Sequence, residues 1–296
     1  MQYIYYMKIL KLYIILLFLI KYKIITLLII IIFYMEFNNI DHHFCEGNIL
    51  GVPEVLNSFT SLIFSFLGIY GLFNKYREKL YIINNNQFVI DLVYSIFVTI
   101  GIGSFGYHWT QFIGWALMDE LPMIVSIFIG LLYIEYCSFL LNNNDINYKI
   151  TIIILTFLMF YFISINPINY YRKLFPLLFG FVLILFSYKF INLIKTFDKK
   201  FNKNILLYGK QQLYIISSAG IIWSFTETIC KYNNNLLLLF GHPLWHFFMA
   251  FGFYNIIQII YYISLYTQIV YIQNSSYDLL DIYLYYNKLY ILTIQN

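Results

Sequence analysis

The chain has 296 residues, of which 61% are hydrophobic and only 11% are charged. A water-soluble domain normally carries about 25% charged residues, so the composition excludes a soluble fold for most of the chain. The net charge of +4 is small and the basic residues form no run on a soluble face, so we expect no nucleic-acid partner. Three cysteines are too few for a disulfide framework, although one pair is possible.

The N-terminal region, residues 1–35, holds two strongly apolar stretches, 9–20 and 24–34, which are interrupted by Lys21 and Lys23. Either stretch alone is short for a membrane-spanning helix, which takes about 20 residues. We interpret this region as an uncleaved signal anchor whose lysines reach the membrane surface, or alternatively as a cleaved signal peptide. As an anchor, it would add one hydrophobic helix to the protein.

After residue 50, the chain predicts seven membrane-spanning α-helices. The short polar segments between the apolar stretches leave no room for a soluble domain, and a helix satisfies its own backbone hydrogen bonds in lipid. The predicted helices cover approximately residues 55–74, 88–109, 115–137, 149–166, 173–193, 208–229 and 239–265. We therefore predict an all-α membrane protein with a seven-helix bundle over residues 36–265 and a peripheral C-terminal tail over residues 266–296.

Basic residues predict the orientation of this bundle. We call the face from which the first predicted helix starts side A, and the opposite face side B. Loops on side A hold Arg172, Lys173 and Lys231, whereas loops on side B hold Lys75, Arg77, Lys79, Lys149, Lys195, Lys199, Lys200 and Lys203. Cytoplasmic loops carry the excess of Lys and Arg, so side B is predicted to be cytosolic and side A lumenal. We expect a multi-pass protein of the secretory system, in the endoplasmic reticulum or Golgi.

Functional candidates gather at side A. An Asp at the centre of a membrane helix costs about 2.5–3.5 kcal/mol, so such residues usually have a function. Ser104 and His108 end the second predicted helix, Asp119 begins the third, and His242 and His246 begin the seventh. The helix count places all five on side A, so they can meet in one layer although they are distant in sequence.

The histidines indicate a metal site. His242 and His246 are four residues apart, so both project from one face of a helix and can share an ion. Three neutral imidazoles with an open position for water form a catalytic zinc pattern, which is hydrolase chemistry. The alternatives are hydrogen-bonded core histidines, and a haem held by two imidazoles, which would leave Ser104 and Asp119 without a role. We predict zinc bound by these two histidines and His108.

A second polar cluster precedes the first predicted helix, also on side A. Asp41, Asn48 and Glu54 belong to a segment rich in the hard oxygen ligands that Ca²⁺ prefers, although an acidic loop is also typical of a solvated surface. Cys45 lies in this segment and Cys230 ends the sixth predicted helix. Both are predicted on the lumenal face, where an oxidising compartment allows a pair to form.

Taken in order, these residues resemble the signature of the alkaline ceramidases. The motifs are Cys45-Glu46-x-Asn48, Glu54-x2-Asn57-Ser58, Ser104-x3-His108, Asp119-Glu120, Trp223-x3-Glu227-x2-Cys230 and His242-x-Leu244-Trp245-His246. The resemblance covers about residues 40–265. Members of this family are seven-helix intramembrane amidases that cleave ceramide to a sphingoid base and a free fatty acid. The resemblance therefore implies ceramide as the substrate and the lipid bilayer as the surroundings; it indicates no protein partner.

The resemblance also implies roles for individual residues. The three histidines would ligate zinc, Ser104 and Asp119 would flank the attacking water, and Cys45 would form a disulfide with Cys230. A structural calcium ion would be held by Asp41, Phe44, Glu46, Asn48 and Glu54. The calcium loop departs from the family pattern, because three residues rather than one separate Asp41 from Cys45, and the stretch before Glu54 is shorter.

Other intramembrane zinc hydrolases share the Ser-x3-His, Asp and His-x3-His pattern, namely adiponectin-receptor-like proteins and lipases that act on GPI lipids. The Cys-Glu-x-Asn loop favours a ceramidase over both. From other classes, a non-catalytic membrane receptor, a haem protein and a transporter are the alternatives. Helices broken by Pro or Gly in paired positions, which are typical of transporters, are absent from the sequence.

Overall fold

The computed structural model describes residues 45–46, 51–73, 87–142, 169–201, 204–230, 232 and 236–273. Throughout these residues the regular structure is helical. The α-helices are α1 (Val55–Phe73), α2 (Gln87–Thr110), α3 (Ile113–Asn142), α4 (Asn169–Phe201), α5 (Ile205–Ile229) and α6 (Gly241–Gln273), and a short 3-10 helix, Leu236–Phe240, leads into α6. The predictions for residues 1–35 and 149–166 lie outside the described residues. The tail predicted over residues 266–296 also lies outside them, except for residues 266–273, which continue α6 instead of starting a tail.

Five of the six described α-helices are long and apolar enough to cross a membrane. Their apolar parts are Val55–Phe73, Phe88–Thr110, Ile113–Leu141, Phe175–Phe201 and Leu237–Thr267. The helix α5 is not among them, and its first turns carry Lys210, Gln211 and Gln212. These helices confirm the predicted class, an all-α membrane protein.

The apolar outer surface of the bundle agrees with a lipid environment. Large side chains such as Phe66, Ile184 and Ile221 are 64%, 71% and 70% exposed, on three different helices. A soluble monomer rarely exposes so much apolar surface, whereas lipid tails solvate it without cost. The side chains that face the interior form one hydrophobic core shared by all six helices.

Three helices are longer than the hydropathy of the sequence predicted. The helices α3, α4 and α6 contain 30, 33 and 33 residues. At 1.5 Å per residue they reach roughly 45–50 Å, which exceeds the roughly 30 Å of the hydrocarbon core. The last turn of α4 carries Lys199 and Lys200. Hydropathy detects only the apolar part of a helix, so it underestimated these lengths.

The helix ends meet on side A, as the site requires. The helix α1 packs on α2, α2 on α3, and α6 on both α5 and α1. Glu54, which precedes α1, contacts His108 near the end of α2. His108 in turn lies against His242 at the start of α6. On side B, the Lys200 ammonium near the end of α4 donates to the Leu141 carbonyl near the end of α3.

Candidate active site

Three buried histidines converge at side A. His108, His242 and His246 are 1%, 6% and 1% exposed. Their ring centroids are 4.8 Å apart for His108 and His242, 5.3 Å for His108 and His246, and 4.7 Å for the two histidines of α6. One ligand atom from each residue lies within 4.8 Å of the others. This set of nitrogen donors fits a single metal ion of the kind that prefers imidazole.

Glu54 holds the first of these histidines. One carboxylate oxygen, Oε2, lies 2.5 Å from Nδ1 of His108 and accepts a hydrogen bond from the Asn57 amide at 2.9 Å, while Oε1 accepts one from Gln111 at 3.2 Å. Burial raises the pKa of the Glu54 carboxyl, but its hydrogen bond and electrostatic attraction to His108 bring the pKa below its usual value. Glu54 therefore faces His108 as a carboxylate.

The two histidines of α6 also have outer partners at Nδ1. The Thr60 hydroxyl oxygen lies 3.0 Å from Nδ1 of His246. Glu227 Oε1, near the end of α5, lies 3.6 Å from Nδ1 of His242. Partners at Nδ1 orient each imidazole ring and leave Nε2 as the nitrogen for a metal, an arrangement typical of metal-binding histidines.

A glycine brings α5 and α6 together at this point. Gly241 begins α6, and a methyl group there would overlap the side chain of Thr226 on α5. The absence of a side chain at residue 241 allows the two helix ends to touch, so His242 reaches Glu227, the residue after Thr226. Pro243 lies in the first turn of α6, where a helix tolerates proline.

Ser104 and Asp119 lie where α2 crosses α3. Ser104 is fully buried one helical turn before His108, and its hydroxyl makes no hydrogen bond to any described residue. Asp119 is 6% exposed. Gly103, the residue before Ser104, packs so tightly on α3 that a methyl group there would stand 2.5 Å from the carbonyl carbon of Met118 and 2.7 Å from the Asp119 nitrogen. The contact of backbone on backbone thus brings the Ser104 and Asp119 segments together.

Cys45 and Cys230 form a disulfide that spans 185 residues of sequence, with their Cα atoms 5.5 Å apart. This bond attaches the segment before α1 to the C-terminal end of α5. The remaining cysteine, Cys137, is free and buried in α3.

Two of the five residues considered for calcium are described, and both have protein partners. Glu46 accepts backbone hydrogen bonds from Leu56 at 2.7 Å and Asn57 at 2.9 Å, one on each oxygen, so it caps the first turn of α1. Glu54 holds His108, as described above. The other three, Asp41, Phe44 and Asn48, lie outside the described residues.

Sequence reasoning missed several residues around the histidines. Thr60 was not considered at all. It lies in α1, six residues after Glu54, and this position is the only feature of the sequence that marks it. Glu227 appeared only as part of a motif. Gln111 was also missed, although it holds the Glu54 carboxylate and has a positive φ of 56° at the turn between α2 and α3. Each depends on contacts between segments far apart in sequence.

Known proteins resemble this chain over most of its length. The family model described as Ceramidase matches residues 36–278, which include every described site residue. The chain is also 28% identical to "Putative alkaline ceramidase dcd3A" of Dictyostelium discoideum over 238 residues, or 71% of this chain and 81% of that protein. With the histidine cluster, the buried carboxylates and the membrane helices in place, this match shows that the chain belongs to the ceramidase family.

Proposed function

We propose that the protein is a zinc-dependent hydrolase that cleaves the amide bond of ceramide within the membrane, giving a sphingoid base and a free fatty acid. The cluster of three buried imidazoles carries the proposal, because ligand atoms within 4.8 Å of one another can hold one ion. Three imidazoles with a fourth position open are a known ligand set of catalytic zinc. Membership of the ceramidase family supports the substrate.

In this proposal, the chain's own residues move the proton and stabilise the charge. His108, His242 and His246 would hold the zinc, which would supply a Lewis acid for the amide carbonyl and would lower the pKa of water. Asp119 accepts the proton of the attacking water and delivers it to the nitrogen as the C–N bond breaks. The Ser104 hydroxyl donates to the carbonyl oxygen as negative charge develops there. The burial of this hydroxyl away from other described partners supports its role.

The apolar interior below the histidines supports a lipid substrate. Two adjoining cavities of about 40 and 20 Å³ lie between α2, α3, α4 and α6, and the smaller one is also lined by Phe64 of α1 and by Trp245. Both are lined by Phe97, Ser126, Ile127 and Phe253. Because these volumes are small, an acyl chain fits only if the surrounding side chains move apart. We propose that the acyl chain of ceramide enters from the bilayer and lies along these helix faces.

The experiment that tests this function combines metal analysis with lipid hydrolysis. The protein purified in detergent is incubated with ceramides, sphingomyelin and GPI lipids, with and without a chelator, beside the variant His246→Gln. We expect about one zinc per wild-type chain, release of fatty acid from ceramide only, and loss of both metal and release in the variant. Release of fatty acid from only sphingomyelin or GPI lipids would reassign the substrate. A haem absorbance would overturn the proposal that the protein is a hydrolase.

A second variant distinguishes two roles for Asp119. If Asp119 transfers the proton, Asp119→Asn keeps its zinc and loses turnover by roughly 10²–10⁴-fold. If Asp119 instead orients a ligand histidine, the same variant loses zinc and turnover together. We expect the first result.

Calcium has no step in this mechanism. The carboxylates of Glu46 and Glu54 each accept a protein donor on both oxygens, and each oxygen has a second lone pair that can bind a cation. Calcium bound to the loop as a whole would be a structural addition. Titration of the metal-free protein with Ca²⁺, followed by thermal unfolding, measures whether the loop gains stability from the ion.

We also propose that side A, with the active site, faces the lumen of the secretory system. The excess of basic residues on side B supports this orientation, as does a disulfide at the opposite face. Protease protection of an epitope placed after residue 230 in sealed microsomes tests it: protection is expected, and digestion would reverse the orientation.

A further inference from the structure

The three histidines do not have equivalent outer partners. His108 and His246 have close partners at Nδ1, at 2.5 and 3.0 Å, whereas the Glu227 oxygen lies 3.6 Å from Nδ1 of His242. The Glu227 side chain is 17% exposed, and among the described residues its Oε1 makes no hydrogen bond. A small movement of this carboxylate therefore makes or breaks its contact with a metal-binding histidine.

The position of Glu227 depends on the disulfide. Its other oxygen, Oε2, accepts a hydrogen bond from the backbone N–H of Cys45 at 3.1 Å, across 182 residues of sequence. Cys45 is covalently bound to Cys230, which follows Glu227 by three residues. The Cys45 sulfur also contacts the Thr226 carbonyl oxygen at 3.2 Å. The disulfide thus fixes the N–H donor that orients the Glu227 carboxylate.

A carboxylate at Nδ1 affects a metal through the imidazole. A histidine that binds through Nε2 carries its proton on Nδ1, and a carboxylate that accepts this proton fixes the tautomer and makes the ring a stronger ligand. Loss of such a partner typically weakens metal binding by about 10–100-fold.

We propose that Glu227 is a positioning residue for His242, and that the Cys45–Cys230 disulfide tunes the metal affinity of the histidine site through Glu227. The inference rests on the proposed function, in which the histidines hold zinc. A dithiol reductant would give two electrons to the disulfide and itself become a cyclic disulfide, leaving two thiols. Cys45 would then be free to move, and the Glu227 carboxylate would lose the Cys45 N–H donor that orients it toward His242.

Zinc affinity, measured by competition with a chromophoric chelator, tests the role of Glu227. The variants are Glu227→Gln, Glu227→Ala and Glu227→Asp, with Thr228→Ala as the matched control, because Thr228 is exposed on the next position of α5. Gln can still accept from Cys45, so a purely structural role predicts wild-type affinity. We expect Gln and Ala to bind zinc 10–100-fold more weakly, Asp to recover part of the loss, and the control to bind normally.

Reduction of the disulfide tests the coupling. In the wild type, reduction by a dithiol that is removed before the zinc titration, or the double substitution Cys45→Ser, Cys230→Ser, should weaken zinc binding by a factor similar to that of Glu227→Gln. In the Glu227→Gln background, the same treatments should have little further effect, because coupled residues are not additive. Thermal unfolding of each variant reports the general loss of stability separately.

The outcomes separate this inference from the function on which it rests. A wild-type protein that binds no zinc would overturn the proposed function. A wild type with zinc and ceramide turnover, but with equal zinc affinity in the Gln variant, would overturn only the role of Glu227. Additive effects of reduction and Glu227→Gln would overturn the coupling and leave Glu227 as a partner of His242.

Discussion

A single methyl group at residue 103 should separate the two proposed catalytic side chains. In the variant Gly103→Ala, the methyl would stand 2.5 Å from the carbonyl carbon and oxygen of Met118 and 2.7 Å from the Asp119 nitrogen. These are backbone atoms, so no side chain can rotate away. An ordinary contact begins near 3.4 Å, so α2 and α3 must part locally by about 0.9 Å. The displaced segments are the ones that carry Ser104 on α2 and Asp119 on α3.

Displacement by about 1 Å in an active site can cost about 10²-fold in rate, so we expect this loss in kcat. Overpacking costs about 1–3 kcal/mol, and the better helix propensity of Ala returns up to about 1 kcal/mol, so the fold should survive. Zinc bound by the proposed ligands His108, His242 and His246 should remain, because the atoms nearest to a methyl group at residue 103 belong to Met118 and Asp119.

The assay is hydrolysis of ceramide in detergent, with zinc content and thermal unfolding measured on the same preparation. The control is Gly180→Ala on α4, where a methyl group meets nothing within 4 Å. It should keep full activity. If Gly103→Ala has full zinc and a kcat within about twofold of the wild type, the close contact of α2 and α3 does not position the reacting groups.

Three further predictions concern the polar interior. Ser104→Ala should keep its zinc and KM while kcat falls by roughly 10²-fold, the cost of one oxyanion donor; steady-state kinetics measures this. Thr60→Val should weaken zinc binding by about tenfold through His246, and an unchanged affinity in chelator competition would contradict it. Lys189→Met should destabilise by roughly 3–5 kcal/mol, because it leaves the carboxylate of Glu135, which is 4% exposed, without its ammonium partner. Adding Glu135→Gln should restore most of that loss in thermal unfolding.

The first two membrane helices were predicted well because their signal is local. The predicted start of the first helix, residue 55, is where α1 begins, and the predicted segment 88–109 differs from α2 by one residue at each end. A helix that crosses lipid needs a minimum number of apolar residues, and these residues follow one another in the sequence. The polar last turns of α4 were missed because they lack the continuous apolar residues by which hydropathy detects a membrane helix.

Candidate site residues could be recognised from the sequence only where spacing within one helix marks them. His242 and His246 are one turn apart, and Ser104 and His108 repeat this spacing, so each pair shares a helix face. The helix count then placed both pairs on the same side of the membrane. In the structure, His108 and the histidines of α6 do meet.

The sequence alone determined that the chain lies in a membrane, that it is helical and which residue types can bind a metal. Each of these follows from composition or from spacing within a single helix. Tertiary structure decided which partner each histidine has. Glu54 was considered only for calcium, yet its carboxylate lies against His108, 54 residues away, and Glu227 binds the N–H of Cys45, 182 residues away. Such pairs form only after helices have packed, because no local rule of sequence brings distant side chains within a few ångströms.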